Sequence, residues 1–162
     1  MATRSSIARK NIDGTITAIY SHWDGYISHN GRILQDYYSN AQKLDTLLSL
    51  GDVSSLGPQI GEQHPFDNPH RYGSDEYKAH RDKYAGWCLF YGRDRSEKNC
   101  EAQTYKDVFE WLSELGQEYN YLSINGVWYV NSGEEDNAGL PVFDLLETAI
   151  DVDTADLAPI VH

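Results

Sequence analysis

The dipeptide Asn125-Gly126 does most to limit how this chain can fold. It separates two runs, 119–124 and 127–131, that are rich in β-branched and aromatic residues. Asn-Gly readily takes the positive φ angles of a two-residue hairpin, so the two runs are expected to pair as antiparallel strands. A second hairpin is expected at the start of the chain. Residues 5–10 lead into the turn residues Asn11-Ile12-Asp13-Gly14. The run 15–21 then sets Ile16, Ala18 and Tyr20 on one face and Thr15, Thr17 and Ile19 on the other.

Helical spacing occupies the chain between these hairpins. Ile33, Leu34, Tyr37 and Tyr38 recur at one-turn intervals over 32–38. Asn40 is placed to cap a second helix, with Leu44, Leu47 and Leu48 on one face and Gly51 as its stop. The clearest helix is predicted over 104–115, with Tyr105, Val108, Phe109, Leu112 and Leu115 on one face, Thr104 as cap and Gly116 as stop. The unbroken apolar run 87–91 suits a central strand. Pro58, Pro65 and Pro69 mark an irregular excursion over about 58–86, with a short helical piece near 75–84. The expectation is one α+β domain, an antiparallel sheet of about five strands with three or four helices packed on one face.

Charge divides the chain unevenly. The formal net charge is −12, and residues 134–162 hold eight of the 25 acidic residues and no Lys or Arg. Residues 1–133 therefore read as the domain and 134–162 as an acidic C-terminal tail. Pro141 could open an amphipathic helix there, with Val142, Leu145, Leu146, Ala149 and Ile150 on its apolar face. The acids Glu134, Glu135, Asp136, Asp144, Glu147, Asp151 and Asp153 are candidate contacts for a basic partner, and solubility is their other reading. Direct binding of a phosphate backbone is disfavoured, because neutralising phosphates takes Lys and Arg.

Cys88 and Cys100 are too few for a disulfide scaffold, and a reduced, cytosolic setting fits them. The first residues carry no apolar stretch for a signal peptide, and no segment approaches the ~18 apolar residues of a membrane span.

Two polar segments are candidates for a ligand site. In Ser21-His22-Trp23-Asp24-Gly25-Tyr26, the residues His22, Trp23, Asp24 and Tyr26 offer proton transfer or ligand contact, set against a reading in which Trp23 plugs the core and the polar groups satisfy the backbone. In Tyr91-Gly92-Arg93-Asp94-Arg95, two Arg flank an Asp, making either a fork for a carboxylate or phosphate, or an internal knot in which Asp94 holds one Arg and Asp24 or Glu97 the other. Paired strand ends would bring both segments to one edge of the sheet, with Arg32 nearby. His64, His70, Arg71, His80 and Arg81 are scattered through the excursion at spacings that match no metal motif, and read as a solvated loop. No catalytic set, metal site or cofactor motif is found.

These segments, with the Asn30-Gly31-Arg32-Ile33-Leu34, Leu50-Gly51-Asp52-Val53-Ser54-Ser55-Leu56-Gly57 and His64-Pro65-Phe66-Asp67 runs, resemble a family of small proteins from bacteriophages and bacterial mobile elements. The likeness covers about residues 1–67, 86–97 and 119–130. It implies an accessory protein at work in the host cytoplasm, of a kind that often inhibits or redirects host machinery, defence systems included. The expected function is therefore non-catalytic binding of a host protein with a basic surface, by imitation of nucleic-acid charge. The alternative is a sponge, or a small enzyme, for an anionic nucleotide-like ligand held by His22–Tyr26, Arg32, Arg93 and Arg95, and a third reading is a structural component that forms a homo-oligomer.

Overall fold

The computed structural model describes residues 2–161. Both expected hairpins form. β1 (Ser5–Lys10) pairs antiparallel with β2 (Ile16–Ser21), in register from Lys10↔Ile16 to Ser5↔Ser21. Toward the other end, the turn residues Asn125 and Gly126 take φ of 50° and 82°. A short stretch of chain before and after them makes the second hairpin, whose strands are numbered below in chain order.

The chain leaves β2 through a π-helical turn (Ile27–Gly31) that runs straight into α1 (Arg32–Tyr37). α2 (Ala41–Ser49) follows, with Asn40 Oδ1 accepting the Lys43 N–H as its cap. Next come β3 (Val53–Ser55), α3 (Asp75–Tyr84), β4 (Leu89–Phe90) and α4 (Tyr91–Arg95). Then β5 (Gln103–Tyr105), α5 (Val108–Leu115), β6 (Tyr119–Ile124) and β7 (Val127–Asn131) complete the second hairpin, and β8 (Asp144–Leu145) and α6 (Leu146–Val161) end the described chain.

The architecture is mixed α and β, but larger than expected. One eight-stranded sheet runs β4-β3-β2-β1-β6-β7-β8, with β5 also on β2. It is not purely antiparallel: β1 lies parallel to β6, and β2 parallel to β3. The added strands β3, β5 and β8 have two or three residues each, too few for a period-two pattern to register. The apolar run 87–91 is not a central strand. Leu89 and Phe90 pair with β3 at the sheet's edge and Trp87 makes an isolated bridge to Gln59, while Cys88 and Phe90 belong to the core.

Helices pack on both faces of the sheet rather than on one, α1, α2 and α6 on one side and α5 on the other. Neighbouring strand residues point to opposite faces. Ile7, Ile19, Tyr121 and Val130 meet Leu34 of α1, Leu44, Leu47 and Leu48 of α2, and Leu146 and Ile150 of α6. Ala8, Ile16, Ala18 and Leu122 meet Trp111 of α5. α5 begins later than its apolar spacing predicts, because residues 103–105 are drawn into pairing with β2 and Asp107 accepts the Glu110 N–H as cap. That start turns Trp111 into the core and leaves Phe109 exposed.

The segment after residue 133 joins the sheet through β8 and the core through the start of α6. Asp144 and Leu145 pair with Val130 and Tyr129, which delays the last helix to Leu146 instead of Pro141. Leu146 is fully buried. Among the described residues, no helix is long and apolar enough to cross a membrane, and Cys88 and Cys100 are both free thiols.

Candidate functional site

The loop from His22 to Tyr26 is fastened by its backbone. His22 N–H donates to the Val53 carbonyl and Trp23 N–H to that of Ser54, which extends β2 along β3. Gly25 N–H donates to the Thr3 carbonyl at 2.8 Å, and the Tyr121 hydroxyl donates to the Gly25 carbonyl at 2.6 Å. A Cβ on Gly25 would lie 2.8 Å from that same Thr3 oxygen, so only glycine fits. Asp24 has φ of 55°, in the left-handed region that Asp tolerates better than most residues.

Asn30 holds the loop from beneath. It is fully buried, and its Nδ2 lies within hydrogen-bond reach of Ser5 Oγ, Ser21 Oγ and the Trp23 carbonyl. Its own N–H donates to the Asp24 carbonyl. Sequence reading placed no weight on Asn30 or Tyr121 as loop anchors, and nothing in their spacing marks them as such. The π-helical turn that carries Asn30 is a rare conformation that recurs at functional sites.

A backbone fastened this firmly leaves side chains facing out. Trp23 and Tyr26 are 43% and 38% exposed, and Asp24 is exposed beside them. Trp23 is therefore no core plug. His22 is half-buried, its Nδ1 2.7 Å from the Tyr20 hydroxyl and its ring edge-on to Trp23.

The π-helical turn packs against α6. Between them lies a groove of about 460 Å³ whose apolar floor is Ile27, Leu145, Ala149 and Val152, with Asp144 and Asp153 on its rim. Asp144, Glu147 and Asp151 are exposed, and Asp153 is half-buried. Glu134, Glu135 and Asp136 are exposed on the connection before β8, where Asp136 Oδ1 accepts the N–H groups of Ala138 and Leu140.

The segment Tyr91–Arg95 is α4, and it is occupied with the protein itself. Arg93 donates from Nε and Nη2 to Asp94, from Nη2 to the Cys88 carbonyl, and from Nη1 to the carbonyls of Ile60 and Gly61. Those bonds account for all the donors a guanidinium has. The Asp94 side chain is fully buried and also accepts the N–H groups of His64 and Phe90. Arg95 lies 3.4 Å from Glu97 and over the Phe66 ring. Arg32 opens α1 and is exposed.

The structure does not gather the two segments into one fork. Ser21 and Phe90 both pair with Val53, but the chains leave β3 in opposite directions. His22 and Trp23 run on toward Ser54, whereas Tyr91 N–H turns back to the Asp52 carbonyl. Among the described residues, no group of three or more His, Cys, Asp and Glu side chains converges to hold a metal ion. No family model, curated protein or solved structure matches the chain.

Proposed function

We propose that the protein is a binding module that engages a basic, amphipathic segment of a partner protein through the Trp23–Ile27 loop and the adjoining acid-rimmed groove on α6. One observation carries this reading: a loop whose backbone groups bond inward presents Trp23 and Tyr26 to solvent, and Ile27, directly after Tyr26, lines an apolar groove that also carries Asp144, Thr148 and Asp153. Rigid aromatic anchors supply binding area at little entropic cost. Carboxylates around an apolar floor favour Lys and Arg flanking apolar side chains, and steer such a partner in from a distance. In the setting implied by the resemblance, the partner is a host protein whose basic surface ordinarily meets nucleic acid. The alternative ligand site at Arg93 has less support, since that guanidinium's donors are already taken.

The test is fluorescence anisotropy with a labelled, alternating Lys/Leu amphipathic peptide against the full chain. Saturable binding is expected, weakening as salt rises and lost in the double variant Asp144→Lys, Asp153→Lys. Binding that is indifferent to both salt and charge reversal would contradict it. Charge reversal serves better than deletion of residues 134–162, because removing Leu146 and Ile150 would open the core.

A further inference from the structure

The irregular excursion between β3 and β4 is not an open solvated loop. His64 is 8% exposed. It lies in a cleft of about 240 Å³ together with Phe66, Tyr77, His80, Tyr84 and Trp87. Its ring stacks on Tyr84 at 4.8 Å with planes 25° apart, and meets Trp87 edge-on at 5.4 Å. Below the ring, Asp94 grips the His64 N–H, and Arg93 and His64 Nε2 share the Cys88 carbonyl, the latter at 2.9 Å.

This arrangement decides the tautomer. The Cys88 carbonyl and the Asp94 carboxylate, 3.7 Å away, only accept, so His64 Nε2 carries a hydrogen, and in the neutral ring Nδ1 keeps its lone pair. Nδ1 is buried and has no hydrogen-bond partner in the protein. His80 Nε2, in the same cleft, is buried and unpartnered as well. One such atom in a folded protein calls for an explanation, and two in one aromatic cleft point to a shared one. Two imidazoles are short of a metal's ligand set. Arg81 at the cleft is bonded to Asp82 and half in solvent, which favours a neutral occupant over an anion.

We infer that this cleft binds a planar nitrogen heterocycle of nucleobase size, which donates an N–H to His64 Nδ1 and is held at its other edge by His80. Ring surfaces supply sequence-tolerant contact with any flat π system, and a few converging polar atoms fix its orientation. The site is separate from the acidic groove, and either can fail without the other.

Histidine-detected ¹⁵N NMR on the full chain tests it, with adenine, hypoxanthine and cytosine as probes and caffeine as a purine that lacks any N–H. At least one of the three bases should shift His64 Nδ1 and His80 Nε2 saturably, and caffeine should not. His64→Phe, which keeps a ring on Tyr84, should weaken binding about tenfold or more. Should that variant fail to fold, His80→Phe at the half-buried wall carries the same expectation. No saturable shift with any base, an equal response to caffeine, or undiminished binding in the folded variant would overturn the assignment.

Discussion

Tyr121 donates its hydroxyl to the carbonyl of Gly25 at 2.6 Å, joining the first strand of one hairpin to the loop that leaves the other. Burial pushes this phenol well above its ordinary pKa, so it remains a donor across the working pH range. Tyr121→Phe keeps the ring's packing and leaves a buried carbonyl without that donor. It should cost about 1–2 kcal/mol in urea unfolding. It should also loosen the loop, seen as lower polarisation of the Trp23 emission in a variant with the other three Trp replaced by Phe. Unchanged stability would show that the bond contributes nothing.

Asp94 faces Arg93, His64 N–H and Phe90 N–H with no exposed surface. Asp94→Asn turns an amide –NH₂ toward groups that are themselves donors, and leaves the Arg93 charge without its counter-charge. The expected loss is about 3 kcal/mol, as for other broken buried pairs. Limited proteolysis should then cut within residues 58–86 faster than in the wild type, because Asp94 ties His64 to α4.

Asp52 gives a pH signature of known sign. Burial, with a smaller contribution from Glu101, raises its carboxyl above the ordinary value, while the Tyr20 N–H bond pulls the other way. With the folded pKa above the unfolded one, the folded state holds the proton longer. The associated stability is present below the unfolded value, near pH 4, and is lost as pH rises through the folded value. Asp52→Asn keeps an acceptor for Tyr20 N–H and removes the titration. Urea unfolding between pH 4 and 7 should show a fall in wild-type stability with rising pH that is smaller in the variant. Equal slopes would contradict this account.

The sequence exposes the long elements and hides the short ones. Both hairpins, the Asn40 cap and the 75–84 helix are legible because turn chemistry and capping act over a few residues. Sheet order is not, since β3, β5 and β8 owe their conformation to neighbours distant in the chain. Trp111 and Phe109 exchange roles for the same reason: pairing of Tyr105 with Ile16 shifts where α5 begins. The His22–Tyr26 segment was conspicuous in composition, but its rigidity comes from Asn30, Tyr121 and Thr3, which carry no local mark. Arg93 and Asp94 read from sequence as either a ligand fork or an internal knot. The structure forms the knot, with Asp94 on Arg93 and Glu97 on Arg95, as the support beneath His64, a residue that spacing alone leaves in a loop.

The central claim is that the Trp23–Ile27 loop and the acid-rimmed face of α6 form one binding surface. The most direct measurement is chemical-shift mapping of the Lys/Leu peptide on the uniformly ¹⁵N-labelled full chain. The account predicts that Trp23, Tyr26, Ile27, Leu145, Thr148, Ala149 and Val152 shift together along one isotherm, and that Asp144→Lys with Asp153→Lys abolishes the response. Shifts clustered at the opposite end of the sheet, around Arg9 to Asp13 and Asn125, or none at all, would contradict it.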